Sequence, residues 1–269
     1  MRSAKWLAFG LSNKQTRTLV HFFPSAGNVT APYPVNCKLS VFGPWDGKKS
    51  LTIEGARLSQ ADGIRVEEVF PDYIGGPDSG EGQEGAYGLE IELSIFQPGI
   101  DISASSCIVE LQSQTSTASY RASPMRVLDQ SSAKDTKSRE MSEEIVAEGE
   151  DEKQNIASFI AVHDAYHTSS LVVLNSGSGK FVPALLERGF ENNEEALMPF
   201  PHSLELAPVS LVEHRFNAED FAKVEPVECS FGLFRAKQLY LRQGAASDSI
   251  MYALYRDKVS NQPISVSAI

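Results

Sequence analysis

The sequence predicts an all-β chain built as two β-sandwich units in tandem, and three observations carry that expectation. Short apolar or alternating runs recur between clusters of Gly, Pro, Asn and Asp at the spacing of sandwich strands. No long helical stripe interrupts them in either half. A polar, acid-rich stretch divides the 269 residues near their middle, at a chain length where one core commonly splits into two.

The most regular run is Tyr87-Gly88-Leu89-Glu90-Ile91-Glu92-Leu93-Ser94-Ile95. Tyr87, Leu89, Ile91, Leu93 and Ile95 share one face and Glu90, Glu92 and Ser94 the other, so its period of two reads as a half-buried strand with a solvated acidic face. The opening residues through Leu11 alternate in the same way and predict a first strand; their apolar stretch is too short for a signal peptide. Further strands are expected at 17–23, 38–42, 50–54, 64–70 and 106–112, then at 157–163, 169–174, 181–187, 203–206, 209–216, 227–234, 238–242 and 249–255.

Residues 126–155 are rich in Ser, Lys and Glu and hold too little apolar surface to offset the entropy of ordering. They read as a flexible acidic linker between an N-terminal domain, 1–125, and a C-terminal domain, 156–269. A second loop, Gly75 to Gly85, carries five glycines and one proline. It lacks the Gly-Lys-Ser/Thr ending of a phosphate loop, and Asp78, Glu81 and Glu84 would repel phosphate.

The halves also resemble each other, which suggests an internal duplication. Phe22 to Gly27 parallels Val172 to Gly177, Val66-Glu67-Glu68-Val69-Phe70 parallels Val212-Glu213-His214-Arg215-Phe216, and Leu89 to Ile95 parallels Val227 to Leu233. The offsets of 150, 146 and 138 keep their order along the chain.

The formal net charge of −11 comes from 24 basic and 35 acidic residues, with an acidic excess in each of 1–125, 126–155 and 156–269. With no basic segment to release counterions from a phosphate backbone, nucleic acid is not an expected partner. No apolar run reaches the roughly 20 residues of a membrane-spanning helix. The three cysteines, Cys37, Cys107 and Cys229, do not make a disulfide scaffold or a metal knuckle. A cytoplasmic location is expected on that ground. Cys37 and Cys107 lie 70 residues apart with Trp45 between them, which resembles an immunoglobulin-type bridge with its packed Trp. Trp45 follows Cys37 too closely and Ser105 stands at the tyrosine-corner position, so buried free thiols are favoured. The sandwiches are described as immunoglobulin-like or related in architecture only.

Candidate sites are sparse. His163-Asp164-Ala165-Tyr166-His167 places two imidazoles and a carboxylate within five residues. On a helix His163 and His167 could chelate zinc, but the flanking runs are strands and put the motif on a hairpin loop, where a metal would need a further ligand such as His202 or His214. Trp45, in Phe42-Gly43-Pro44-Trp45-Asp46-Gly47, is either a binding platform or a lid over the end of the sandwich. Asn175-Ser176-Gly177-Ser178-Gly179-Lys180 is a turn signal, and no Gly-x-Ser-x-Gly frame supports a serine nucleophile.

The sequence therefore favours a non-enzymatic binding or assembly protein with no cofactor, recognising a protein or a small ligand. Its expected surface includes Trp45, Gly76, Asp78, Glu81 and Asn175. The alternatives are a metal-assisted hydrolase using His163, Asp164 and His167, and a carbohydrate-binding module using Trp45.

Overall fold

A computed structural model describes residues 2–13, 15–23, 35–43, 45, 47–53, 63–74, 85–95, 106–129, 156–191, 194–202, 204–229, 232–242 and 249–269. The first half runs β1 (Arg2–Ser12), β2 (Thr16–Phe23), β3 (Val35–Phe42), β4 (Lys49–Ile53), β5 (Ile64–Arg65), the helical turn α1 (Val66–Val69), β6 (Gly85–Ile95), β7 (Ser106–Ser113), β8 (Thr117–Arg121) and β9 (Ser123–Asp129). The second runs β10 (Ile156–His163), β11 (His167–Asn175), β12 (Ala184–Glu191), β13 (Glu194–Pro199), β14 (Ser210–Arg215), β15 (Val227–Cys229), β16 (Gly232–Arg242), β17 (Ser249–Asp257) and β18 (Pro263–Ala268).

The described strands form three antiparallel sheets. One has the order β4-β3-β6-β1-β9 and a second β5-β2-β7-β8. The third runs β13-β12-β16-β10-β11-β17-β18, with β14 on the flank of β11 and β15 on β16. The chain is thus nearly all β, as its patterning indicates. No helix among the described residues is long and apolar enough to cross a membrane.

The first two sheets face each other across Trp6, Leu39, Val41, Leu89, Ile91, Val20, Phe22 and Val109, with the Trp6 and Phe22 rings packed edge to face at 5.6 Å. β1 and β6 are buried on their second faces as well. There Phe42 lies over Gly88 on the neighbouring strand, and a Cβ at Gly88 would meet the Phe42 ring at 2.2 Å. Glu90 departs from the solvated face its alternation suggests: it is 4% exposed, with Lys5 at 2.6 Å and Lys48 at 2.5 Å from its two oxygens. Two lysines from separate elements neutralise the carboxylate that period-two reading assigned to water.

The two halves share a core instead of each closing on its own. Val172 and Leu174 of β11, with Tyr252 and Leu254 of β17, belong to the same buried cluster as Leu7, Phe9, Phe42 and Tyr120. The alternate residues Leu171, Val173, Met251 and Ala253 belong to a second cluster with Phe159, Leu239 and Leu241. β11 and β17 pair in register, Val172 with Tyr252 and Val173 with Met251, and form a septum with no solvent face over these residues.

Tyrosine hydroxyls fix the septum to β1. β9 pairs with β1 only as far as Leu7 and Ser123. Beyond that point the Tyr120 hydroxyl accepts from the Phe9 amide at 2.9 Å and donates to the Phe9 carbonyl. The Tyr252 hydroxyl donates to the Leu7 carbonyl at 2.7 Å and accepts from the Ser123 amide at 3.2 Å. The Phe9, Tyr120 and Tyr252 rings stand 5.0 to 5.3 Å apart in one aromatic triad. At the far end Gln262 accepts hydrogen bonds from Ser113 and Thr115, and Ser116 donates to the Pro263 carbonyl.

Several sequence expectations shift. Within 64–70 only Ile64 and Arg65 are a strand; Val66-Glu67-Glu68-Val69 is a helical turn with Val66 buried. The stretch 227–234 pairs as a hairpin, β15 with β16, and among the described residues of 203–206 Leu206 makes an isolated bridge to Phe181. Two of the three correspondences proposed between the halves therefore fall on unlike structures: a helical turn against β14, and one continuous strand against a hairpin. β9 extends to Asp129 against β1, so the linker expected from 126 begins no earlier than 130. Residues 130–155 and 75–84 lie outside the described residues. Cys37 and Cys107 are free and buried; burial pushes the Cys37 thiol up to about 12 and the Cys107 thiol higher still.

An ion pair sits on the inter-half side of the septum. Arg256 of β17 pairs with Glu213 of β14 and donates to the Ser170 hydroxyl at 2.9 Å, with side chains 3% and 11% exposed. Burial alone would raise the Glu213 carboxyl, but Arg256, Arg215 and Ser170 together hold it below the ordinary value of a glutamate. A carboxylate with a lowered folded pKa stabilises the fold above its unfolded pKa and loses that contribution as pH falls below it. Glu213→Gln should destabilise the protein by about 3–5 kcal/mol at pH 7, because Arg256 is left buried and unpaired. Urea denaturation between pH 7 and pH 3 checks the sign: the gap between wild type and variant should narrow below about pH 4.5, and a constant gap would contradict it.

Candidate functional site

The hairpin His163 to His167 joins β10 to β11, as its flanking strands require, and Asp164, His167 and His163 Nε2 meet local partners, while His163 Nδ1 is buried without one. Asp164 accepts from the amides of Tyr166 and His167 at 2.6 Å each and from His167 Nδ1 at 2.9 Å. Burial would raise its carboxyl, and these donors bring it below the ordinary value. His163 Nε2 faces the Lys258 ammonium at 3.2 Å, and Lys258 also donates to the Asp164 carbonyl at 2.9 Å. Burial first, then Lys258, push the His163 imidazole down. His163 and His167 are thus directed to different partners and not to one point.

Trp45 and Asn175 pack against neighbours within the fold. Trp45 is half-buried against the first core, its ring 6.0 Å from Tyr73 and 6.2 Å from Tyr87. Its ring therefore packs within the edge of the first core. Asn175 is 3% exposed. Its amide donates to the carbonyls of Gly179 at 2.8 Å and Ala207 at 3.0 Å, and its oxygen accepts from the Gly177 amide at 3.1 Å. It ties the turn after β11 to the loop before β14. Gly76, Asp78 and Glu81 lie outside the described residues.

A different constellation does come together. His202 follows β13, His214 is on β14, and Asp220 lies in a 3-10 turn, Glu219–Phe221. One ligand atom from each falls within 4.8 Å of the others. His202 Nε2 is 2.9 Å from Asp220 Oδ1 and His214 Nε2 is 4.0 Å from Asp220 Oδ2. The local sequence explains the turn: Phe216 and Phe221 anchor its ends in the second core, while polar residues between them cap it reciprocally. Asn217 Oδ1 accepts from the Glu219 amide at 2.8 Å, and Asp220 Oδ2 accepts from the Asn217 amide at 2.8 Å.

Asp220 is almost wholly covered, His214 is 16% exposed and His202 is half-exposed. Phe200 packs on both imidazoles, at 5.2 Å and 5.6 Å, and Phe216 lies edge-on to His214 at 4.9 Å. His214 Nε2 is buried with no hydrogen-bond partner. Burial lowers the His214 imidazole; Asp220 opposes that and His202 adds to it. Sequence reading reached His202 and His214 only as recruits for the hairpin and did not reach Asp220. The visible signal was the Phe-Asn-x-x-Asp-Phe frame of 216–221.

No protein-family model matches this chain, and no curated protein matches its sequence.

Asn175→Ala should lower stability by about 1–3 kcal/mol, since the carbonyls and amide it serves lose their partner in a part-buried turn. Chemical denaturation measures this, and a variant as stable as wild type would show that the turn holds itself without the side chain.

Proposed function

We propose that this protein is a non-enzymatic binding or assembly module that engages an extended segment of a partner chain along a sheet edge. The observation that carries this reading is β13. It pairs with β12 from Leu186 and Pro199 to Glu191 and Glu194, and among the described residues no strand pairs with its other edge. Leu197 and Met198 on this strand are 43% and 40% exposed. An open edge carrying apolar side chains is a ready template for strand addition. The chain's net charge of −11 favours a partner segment that combines apolar residues with basic ones.

The surroundings support a scaffold more than a reaction centre. The hairpin of His163, Asp164 and His167, which a hydrolase would need to converge, is engaged with Lys258 and its own backbone. The Trp45 ring, which a sugar platform would need free, is packed on Tyr73 and Tyr87.

Full-length protein and its Leu197→Lys variant, used as bait in a native-source lysate, test the reading. The wild type should retain one partner at near-stoichiometric level, and the variant should retain at least about tenfold less, since a lysine at an edge opposes strand pairing. Equal retention by both, or no specific partner for the wild type, would overturn it.

A further inference from the structure

We propose that His202, His214 and Asp220 form a binding site for one divalent transition-metal ion of the zinc class. A tetrahedral ion with bonds of about 2.0–2.1 Å to nitrogen and oxygen holds its ligand atoms roughly 3.3 Å apart. The separations of 2.9 Å and 4.0 Å between the imidazole nitrogens and the two Asp220 oxygens straddle that value. One ligand atom from each of the three side chains lies within 4.8 Å of the others.

The donor set selects the metal class. Two imidazoles and one carboxylate suit zinc, nickel or copper, whereas calcium and magnesium require a shell of oxygens. Three protein ligands leave a fourth position for water or for a group brought by a partner.

Two further observations point to a ligand. His214 Nε2 is buried beside Asp220 without a hydrogen-bond partner, although a buried imidazole nitrogen is ordinarily satisfied. Asp220 is oriented from behind by the Asn217 amide, and Asn217 is itself fixed by the Glu219 amide; such outer contacts preset a metal-binding carboxylate. The Phe200 and Phe216 rings wall the imidazoles and limit their rotation. Lys237 donates to the Asp220 backbone carbonyl at 3.4 Å and pairs with Glu187, not with the Asp220 carboxylate.

The test uses the full chain, purified without a histidine tag and stripped with chelator, titrated with Zn2+ by calorimetry and with Co2+ by visible absorption. One equivalent should bind, with the absorption of tetrahedral Co2+. His202→Ala, a replacement at a half-exposed position, should weaken binding by at least about tenfold, and Asp220→Asn should do the same while keeping an acceptor for the Asn217 amide. His167→Ala should leave binding unchanged. Binding of less than a tenth of an equivalent, undiminished binding by His202→Ala, or an equal loss in His167→Ala would overturn the assignment.

Discussion

The rest of the structure depends on burying both faces of the β11 and β17 pair. Leu171 to Leu174 and Met251 to Leu254 contribute alternately to two cores, so neither strand can satisfy its side chains unless both cores form. Each fully buried aliphatic or aromatic side chain removed from water contributes about 1.5–3 kcal/mol. The four that face the first core, Val172, Leu174, Tyr252 and Leu254, therefore couple the halves, and the other four seat the same strands in the second core. The Tyr252 hydroxyl on the Leu7 carbonyl then fixes the registration of that coupling, since a buried polar group left unmatched is costly.

The same septum positions the candidate sites. β14 is held on the flank of β11, with Leu171 opposite His214, so the packing that seats Leu171 in the second core also aims His214 toward Phe200 and Phe216. The turn carrying Asp220 is anchored by Phe216 and Phe221 in that core. The imidazoles and the carboxylate are thus supported by rigid elements, as a preorganised binding site requires. β13 projects from the opposite flank of the same sheet and ends at Pro199, directly before Phe200 and His202. A partner strand on that edge would lie along the chain segment that carries one of the three ligands.

Much of the strand content was legible because period-two alternation reports burial directly, as in β7. The septum was written in the sequence too: four consecutive apolar residues in Leu171-Val172-Val173-Leu174 and again in Met251-Tyr252-Ala253-Leu254 mark strands without a solvent face. What periodicity cannot supply is the identity of the layer that each face meets, and two tandem sandwiches use the same local pattern as two halves joined through a common layer. Glu90 misled for a related reason, since its lysine partners come from positions 5 and 48. The His202, His214 and Asp220 cluster was illegible because its members lie on three separate elements, whereas the hairpin histidines stood out by proximity in sequence alone.

The most direct test of the shared septum is hydrogen exchange of the intact protein, read by mass spectrometry across a denaturant series. Amides in β1 and β6 of the first half and in β10 and β16 of the second should lose protection together, in one cooperative transition, because neither core survives without β11 and β17. Separate transitions, with one half retaining protection at denaturant concentrations that open the other, would contradict the account and return the protein to two independent units.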